Sequence, residues 1–186
     1  IHFQHLSTAR SVAMVREALA AGLPVTAEAT PHHFTLTHAA CAGYDPVFKV
    51  NPPLRTEADV AAVRAGLADG TIATIATDHA PHTPESKELP FDQAPPGMIG
   101  LETALALALT ELDLPLPQLL AALSWNPAKV AGIDDVHGRP VAEGEPANLC
   151  VIDPDATWTV RADAMASRSR NSPYEGREVR GRVRHT

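Results

Sequence analysis

"TIATIATDHAPH", residues 71–82, is the stretch on which the fold turns. Its first part, Thr71-Ile72-Ala73-Thr74-Ile75, is a short apolar run rich in β-branched residues, the pattern of a strand buried on both faces. Its second part places Asp78, His79 and His82 at the strand's carboxyl end. A carboxylate and two imidazoles in that position form either a polar turn or a cluster that holds a metal and moves protons. The flanking segments bear on the choice.

Upstream, Ile1 to Leu6 reads as a strand, and Ser7 or Thr8 can cap a helix whose Val12, Val15 and Leu19 share one face before Gly22. A second strand follows in "LPVTAEAT", closed by Pro31. Beyond the loop "FKVNPPLR", Thr56 and Asp59 form an approximate capping box ahead of the stripe Val60, Val63, Leu67, and Gly70 ends that helix. Downstream of the third strand come a Pro-rich loop from Ala80 to Gly97 and a helix from about Leu101 to Leu112. Two shorter helices follow, the second opened by Asn126-Pro127 as cap and first turn. Strands alternating with helices predict an α/β architecture with a parallel sheet, since parallel strands need helical crossovers. Functional groups then belong at the strands' carboxyl ends, where His5, His32, His33 and Asp78 fall. A (β/α)8 barrel carries its active site on that face and takes roughly 250 residues. A chain of 186 residues holds only part of one.

From about Val136 the helical period disappears. "HGRPVAEGEPANLCVIDPDATWTV" has turn signals at Gly138, Gly144 and Pro154 around the apolar run 149–152, which predicts short antiparallel strands of a small β unit. The expected division is 1–135 for the barrel portion and 136–186 for part of a small β-sandwich domain with the C-terminal segment. The basic residues near the end are interrupted by glutamates and a proline, as in a solvated tail or edge strand.

A formal charge of -7 without a Lys or Arg run gives no footprint for nucleic acid or an anionic membrane. Two distant cysteines, Cys41 and Cys150, fit a reducing compartment, so the expected location is cytoplasmic. The opening "IHFQHLST" lacks a methionine and starts in mid-pattern, as in a piece of a longer protein. There is no C-x-x-C pair, phosphate loop, dinucleotide fingerprint or nucleophile elbow. Metal-assisted hydrolysis is the chemistry left best supported.

Within that chemistry, Asp78 is the candidate metal ligand and proton acceptor. With a side-chain period of two, His2 and His5 face opposite sides of a strand, and His5, at its end, is the better second ligand. The adjacent His32 and His33 diverge if they lie in a loop. Asn51, ahead of two prolines, is held extended with its carboxamide offered to a polar ligand. In "PPGMIG", residues 95–100, the glycines let backbone N–H groups approach a ligand closely.

Taken in order, "HLSTARSV", "VTAEATPHHFTLT", "KVNPPLR", "ATDHAPH", "PPGMIGLETAL", "SWNPAKVAGI" and "SRSRNSPYEGREVRGRV" resemble the later half of a class I dihydroorotase of the amidohydrolase superfamily. The resemblance implies the later half of a (β/α)8 TIM barrel followed by part of a small β-sandwich domain. It implies two zinc ions per complete site and reversible interconversion of N-carbamoyl-L-aspartate and (S)-dihydroorotate in pyrimidine synthesis. Carried over by motif, His5 and Asp78 are zinc ligands, Asp78 is also general base and acid, and Asn51, His82 and the backbone around Pro96 and Gly97 contact the substrate. The family's first-strand H-x-H pair, bridging ligand and carboxylate-gripping arginine have no match here. The chain alone is therefore expected to be inactive and its parent active. An allantoinase or hydantoinase is the nearest alternative. An inactive structural partner of aspartate transcarbamoylase is another, and homo-oligomers are a further expectation.

Overall fold

The computed structural model describes residues 1–186. Three short parallel strands, β1 (His2–Phe3), β2 (Thr26–Ala29) and β3 (Thr74–Ile75), lie side by side in that order. His2 pairs with Thr26, and Glu28 pairs with Thr74. The first strand is shorter than the expected Ile1–Leu6, because the backbone turns left-handed at His5, with φ 55°.

Helix α1 (Ala9–Ala20) makes the first crossover. The Thr8 hydroxyl accepts from the Ser11 N–H and starts it, while Val12 and Val15 face inward. Leu19 does not join that face and is exposed. The second crossover begins with the short helix α2 (Pro31–Thr35) and ends with α3 (Glu57–Ala68). Thr56 and Asp59 form the full reciprocal capping box, and Asp59 also accepts from the Ala9 N–H at 2.8 Å, so one carboxylate ties the starts of α1 and α3. That hydrogen bond, more than any other contact, holds the Asp59 carboxyl below its ordinary range.

Val12, Val63, Leu67, Ile72, Ile75 and Phe34 form the main core with Leu109 and Leu119 from the later helices. Each such side chain stabilises the fold by about 1.5–3 kcal/mol relative to exposure. Gly66 is a glycine because the helices meet there: a Cβ would sit 3.0 Å from both Val12 Cγ1 and Ile72 Cδ1.

After a single-turn helix, α4 (Pro84–Lys87), comes α5 (Ala104–Glu111), later and shorter than the expected span, with Leu101 outside it and exposed. Helix α6 (Leu116–Leu120) runs through a wide helical turn at 121–125 into α7 (Asn126–Ala131). Asn126 is not a cap as expected. Trp125 and Asn126 are both helical, so no free end exists there, and the Asn126 carboxamide instead donates to the Ala73 carbonyl at 2.8 Å. No helix is long and apolar enough to cross a membrane.

The C-terminal segment forms an antiparallel pair, β4 (Val151–Thr159) and β5 (Glu178–His185). Leu149 and Val151 of the expected inner run are exposed; the residues that turn inward are Val160, Tyr174 and Val179, packed on Ala106 and Leu107 of α5. Gly181 has φ 98°, and a Cβ there would collide with Leu109 Cδ1. Glu111 of α5 pairs with Arg64 of α3 and with Arg177 just before β5, joining the sheet's helical layer to the hairpin.

Candidate active site

The carboxyl ends of β1, β2 and β3 carry a chain of contacts that links His2, Glu28, His5 and Asp78. His5 follows β1 and Asp78 follows β3, each at positive φ, 55° and 46°. Asp and His enter this region more readily than most side-chain-bearing residues. The two left-handed turns bring His5 Nε2 within 3.7 Å of Asp78 Oδ1. These two candidate ligands are brought side by side.

Glu28 projects from β2 into the same space, 7 % exposed. Its Oε2 lies 2.9 Å from His2 Nε2, whose Nδ1 meets the Thr26 hydroxyl at 2.8 Å. Its Oε1 lies 2.8 Å from His5 Nδ1, out of line for a hydrogen bond. His2 and His5 thus converge on one carboxylate instead of facing apart, because the strand ends at Phe3 and its period does not reach His5. Sequence reasoning passed over Glu28, although the signal was present: a lone acid within the apolar "TAEA" of a buried strand.

Helix α2 settles the two adjacent histidines. The Thr30 hydroxyl caps it, Pro31 occupies its first turn, and both imidazoles are buried, with ring centroids 4.4 Å apart. His33 is fully engaged. Its Nε2 donates to the Pro52 carbonyl at 2.9 Å, which leaves Nδ1 to accept from Thr30 Oγ1 at 2.8 Å. Burial pulls its pKa down to about 4, so it is neutral at physiological pH. His32 is different: its Nε2 is buried without a hydrogen-bond partner. Burial first, and then the nearby His33 and His5, press its pKa well below the usual value. A buried, neutral imidazole nitrogen with nothing bound to it is a ready metal donor.

The remaining candidates line the rim. His79 Nδ1 accepts from the Gly100 and Leu101 N–H groups at 3.1 and 3.3 Å, a structural role. His82 is half-buried and donates from Nε2 to the Pro96 carbonyl at 3.0 Å. Gly97, φ 131°, donates to the Lys49 carbonyl at 2.8 Å. That bond links the 95–98 loop to the strand-like segment ending at Asn51, whose side chain is exposed. A cavity of about 230 Å³ beside His82 is lined by Asp45, Lys87, Arg170 and Asn171. A larger one, about 460 Å³, lies between α5 and the hairpin and contains none of these site residues.

Nitrogen and oxygen donors of this kind suit zinc. His5, Asp78 and the unpartnered His32 Nε2 have the right chemistry. No group of three His, Cys, Asp or Glu side chains is close enough to hold an ion by itself, so the chain fits part of a coordination shell.

The whole chain, residues 1–186, matches the amidohydrolase family. It belongs to that family, and its strands and crossovers are part of an amidohydrolase (β/α)8 barrel. Among curated relatives it is 53% identical to a dihydroorotase of Streptomyces coelicolor over 190 residues, covering all of this chain and 44% of that protein. It is 52% identical to a dihydroorotase of Pelotomaculum thermopropionicum, covering 97% of this chain and 43% of that protein. The chain thus spans under half the length of these relatives. Among solved structures it resembles an L-hydantoinase (dihydropyrimidinase) from Arthrobacter aurescens, with TM-score 0.90 and 30% identity over 98% of this chain and 42% of that one.

Proposed function

We propose that the protein carrying this chain is a zinc-dependent dihydroorotase that interconverts N-carbamoyl-L-aspartate and (S)-dihydroorotate. The observation that carries the proposal is the approach of His5 Nε2 to Asp78 Oδ1, 3.7 Å, at the strand ends of a chain 53% identical to a dihydroorotase. His5 and Asp78 are the residues of this chain that would hold metal as part of a larger ligand set. Zinc bound there supplies Lewis-acid polarisation and lowers the pKa of water towards about 7.

The chain's own groups account for binding and proton transfer. Asp78 is a carboxylate at a half-exposed rim, able to take the proton of an attacking water and return it to the departing ring nitrogen. Ring closure runs the same transfer backwards. Asn51 and His82 would orient a polar, anionic substrate, while the backbone at Pro96 and Gly97, committed to His82, Lys49 and Asn171, would shape the edge against which it rests. His33 holds the Asn51-Pro52 segment through the Pro52 carbonyl and is a positioning residue. The division into a barrel portion, 1–135, and part of a small β domain, 136–186, belongs to the same proposal.

A hydantoinase reading is favoured by the 0.90 TM-score to a solved hydantoinase, but the identity there is 30% against 53%. Purified full-length protein, assayed with dihydroorotate, allantoin and hydantoin side by side and analysed for zinc, separates the readings. Turnover of dihydroorotate with bound zinc is expected. Turnover of allantoin or hydantoin alone overturns the proposal.

A further inference from the structure

We infer that Asn171, in the segment between β4 and β5, is a positioning residue that clamps the two rim loops of the site into one body. Asn171 is 6 % exposed. Its Nδ2 donates to the Ala80 carbonyl at 2.9 Å and to the Gly97 carbonyl at 3.2 Å, while its Oδ1 accepts from the His82 N–H at 3.3 Å. Its own backbone carbonyl accepts from the Ile99 N–H at 3.1 Å. Both carboxamide hydrogens and the carboxamide oxygen are therefore spent on the 78–82 turn and the 95–99 loop.

Only an amide satisfies this set. A carboxylate of the same shape would press the oxygen that replaces Nδ2 against two carbonyl oxygens, and an alanine would leave three backbone groups without partners. The loops already touch: Ala80 N–H donates to the Met98 carbonyl at 2.9 Å, and His82 Nε2 donates to Pro96. Those contacts join loop to loop. Asn171 adds the tie to the C-terminal segment, which is itself anchored to the helices through Tyr174, whose hydroxyl meets Thr35 Oγ1 at 2.7 Å. Without the Asn171 side chain the two loops stay zipped to each other, and the backbone bond from the Ile99 N–H is the one tie of this residue left to hold them on the C-terminal segment, so His82 and Gly97 can shift relative to His5. Asn171 needs no contact with substrate to act; it sets where His82 and the Gly97 backbone stand.

The link to substrate rests on the dihydroorotase reading, whereas the clamp itself does not. The test uses the full-length protein with Asn171→Ala and Asn171→Ser, following steady-state kinetics with dihydroorotate and amide hydrogen exchange across residues 76–100. Losing hydrogen bonds of this kind is expected to raise KM roughly tenfold, with a smaller change in kcat, and to speed exchange at the His82 amide by a similar factor. A purely structural residue would lower Tm but leave KM and local exchange within about twofold at a temperature where the variant is folded, and that result overturns the inference. Faster exchange with an unchanged KM also overturns it, as does failure of both variants to fold, since Asn171 would then be a core residue. If the unmutated protein does not turn over dihydroorotate, the proposed function fails, and the exchange measurement alone decides on the clamp.

Discussion

Oε1 of Glu28 lies 2.8 Å from Nδ1 of His5, which leaves Nε2 as the nitrogen of that ring turned to Asp78. A carboxylate behind a ligating histidine that takes its other ring N–H fixes the ring and makes the outward nitrogen a stronger donor, and Glu28 Oε1 stands close enough to His5 Nδ1 for a small turn of the ring to make that bond. Glu28 also holds His2, so one side chain braces the floor of the site from the middle strand. Glu28→Gln in the full-length protein is expected to weaken zinc binding roughly 10–100-fold, measured by competition with a chelator. Unchanged affinity would remove Glu28 from the site.

Asp78 combines a proposed chemical role with an unusual backbone, φ 46°. Asparagine tolerates that conformation nearly as well as aspartate, so Asp78→Asn changes the charge while sparing the fold. It is expected to lower kcat by about 10²–10⁴-fold, the range for a lost general base, with Tm almost unmoved. Asp78→Ala should lose the same activity and also about 1–2 kcal/mol of stability to left-handed strain. Comparing the two variants by kinetics and thermal melting separates chemistry from conformation.

Much of this architecture was legible in residue order. The run 71–75, the capping box at Thr56 and Asp59, and the stripe Val60, Val63, Leu67 are local signals, and local signals survive folding. What stayed hidden arises from tertiary placement. The left-handed turn at His5 ends β1 early and swings His2 and His5 onto Glu28, against the period-two expectation. The difference between His32 and His33 depends on which one meets Thr30 and the Pro52 carbonyl, a contact across the second crossover. Asn171 lies far along the chain from the loops it joins, and its sequence neighbourhood carries no sign of them.

The buried histidines predict an acid-sensitive fold. His33 has a folded pKa of about 4 against 6.5 when unfolded, so between those values the unfolded chain binds more protons and stability falls as pH falls. Above pH 6.5 the contribution is fully present. The gap between about 4 and 6.5 corresponds to roughly 3 kcal/mol, and His32 shifts in the same direction. Asp59 and Asp69, both held below the ordinary carboxyl value, lose their contributions only at lower pH. Urea unfolding of metal-free protein at pH 7.5, 6 and 4.5 should show a steady loss, flattened in His33→Gln. A flat profile in the unmutated protein would contradict the burial assigned to these rings.

Gly97 is the position where backbone geometry bears most directly on the rim. Its φ of 131° belongs to a region that only glycine occupies freely, and a Cβ would stand 2.6 Å from Ala80 Cβ and 2.8 Å from His82 Nε2. Both neighbours belong to the turn that carries Asp78, so the clash has nowhere to go except into the site. Gly97→Ala is expected to cost about 1–3 kcal/mol from strain and, by displacing His82, to raise KM for dihydroorotate. Gly22→Ala is the control, since φ there is 72° but nothing lies within 4 Å of a Cβ. It should lower Tm modestly and leave KM alone. If both variants alter stability and KM alike, the effect at Gly97 is general backbone strain, and the contact with His82 does not govern the site.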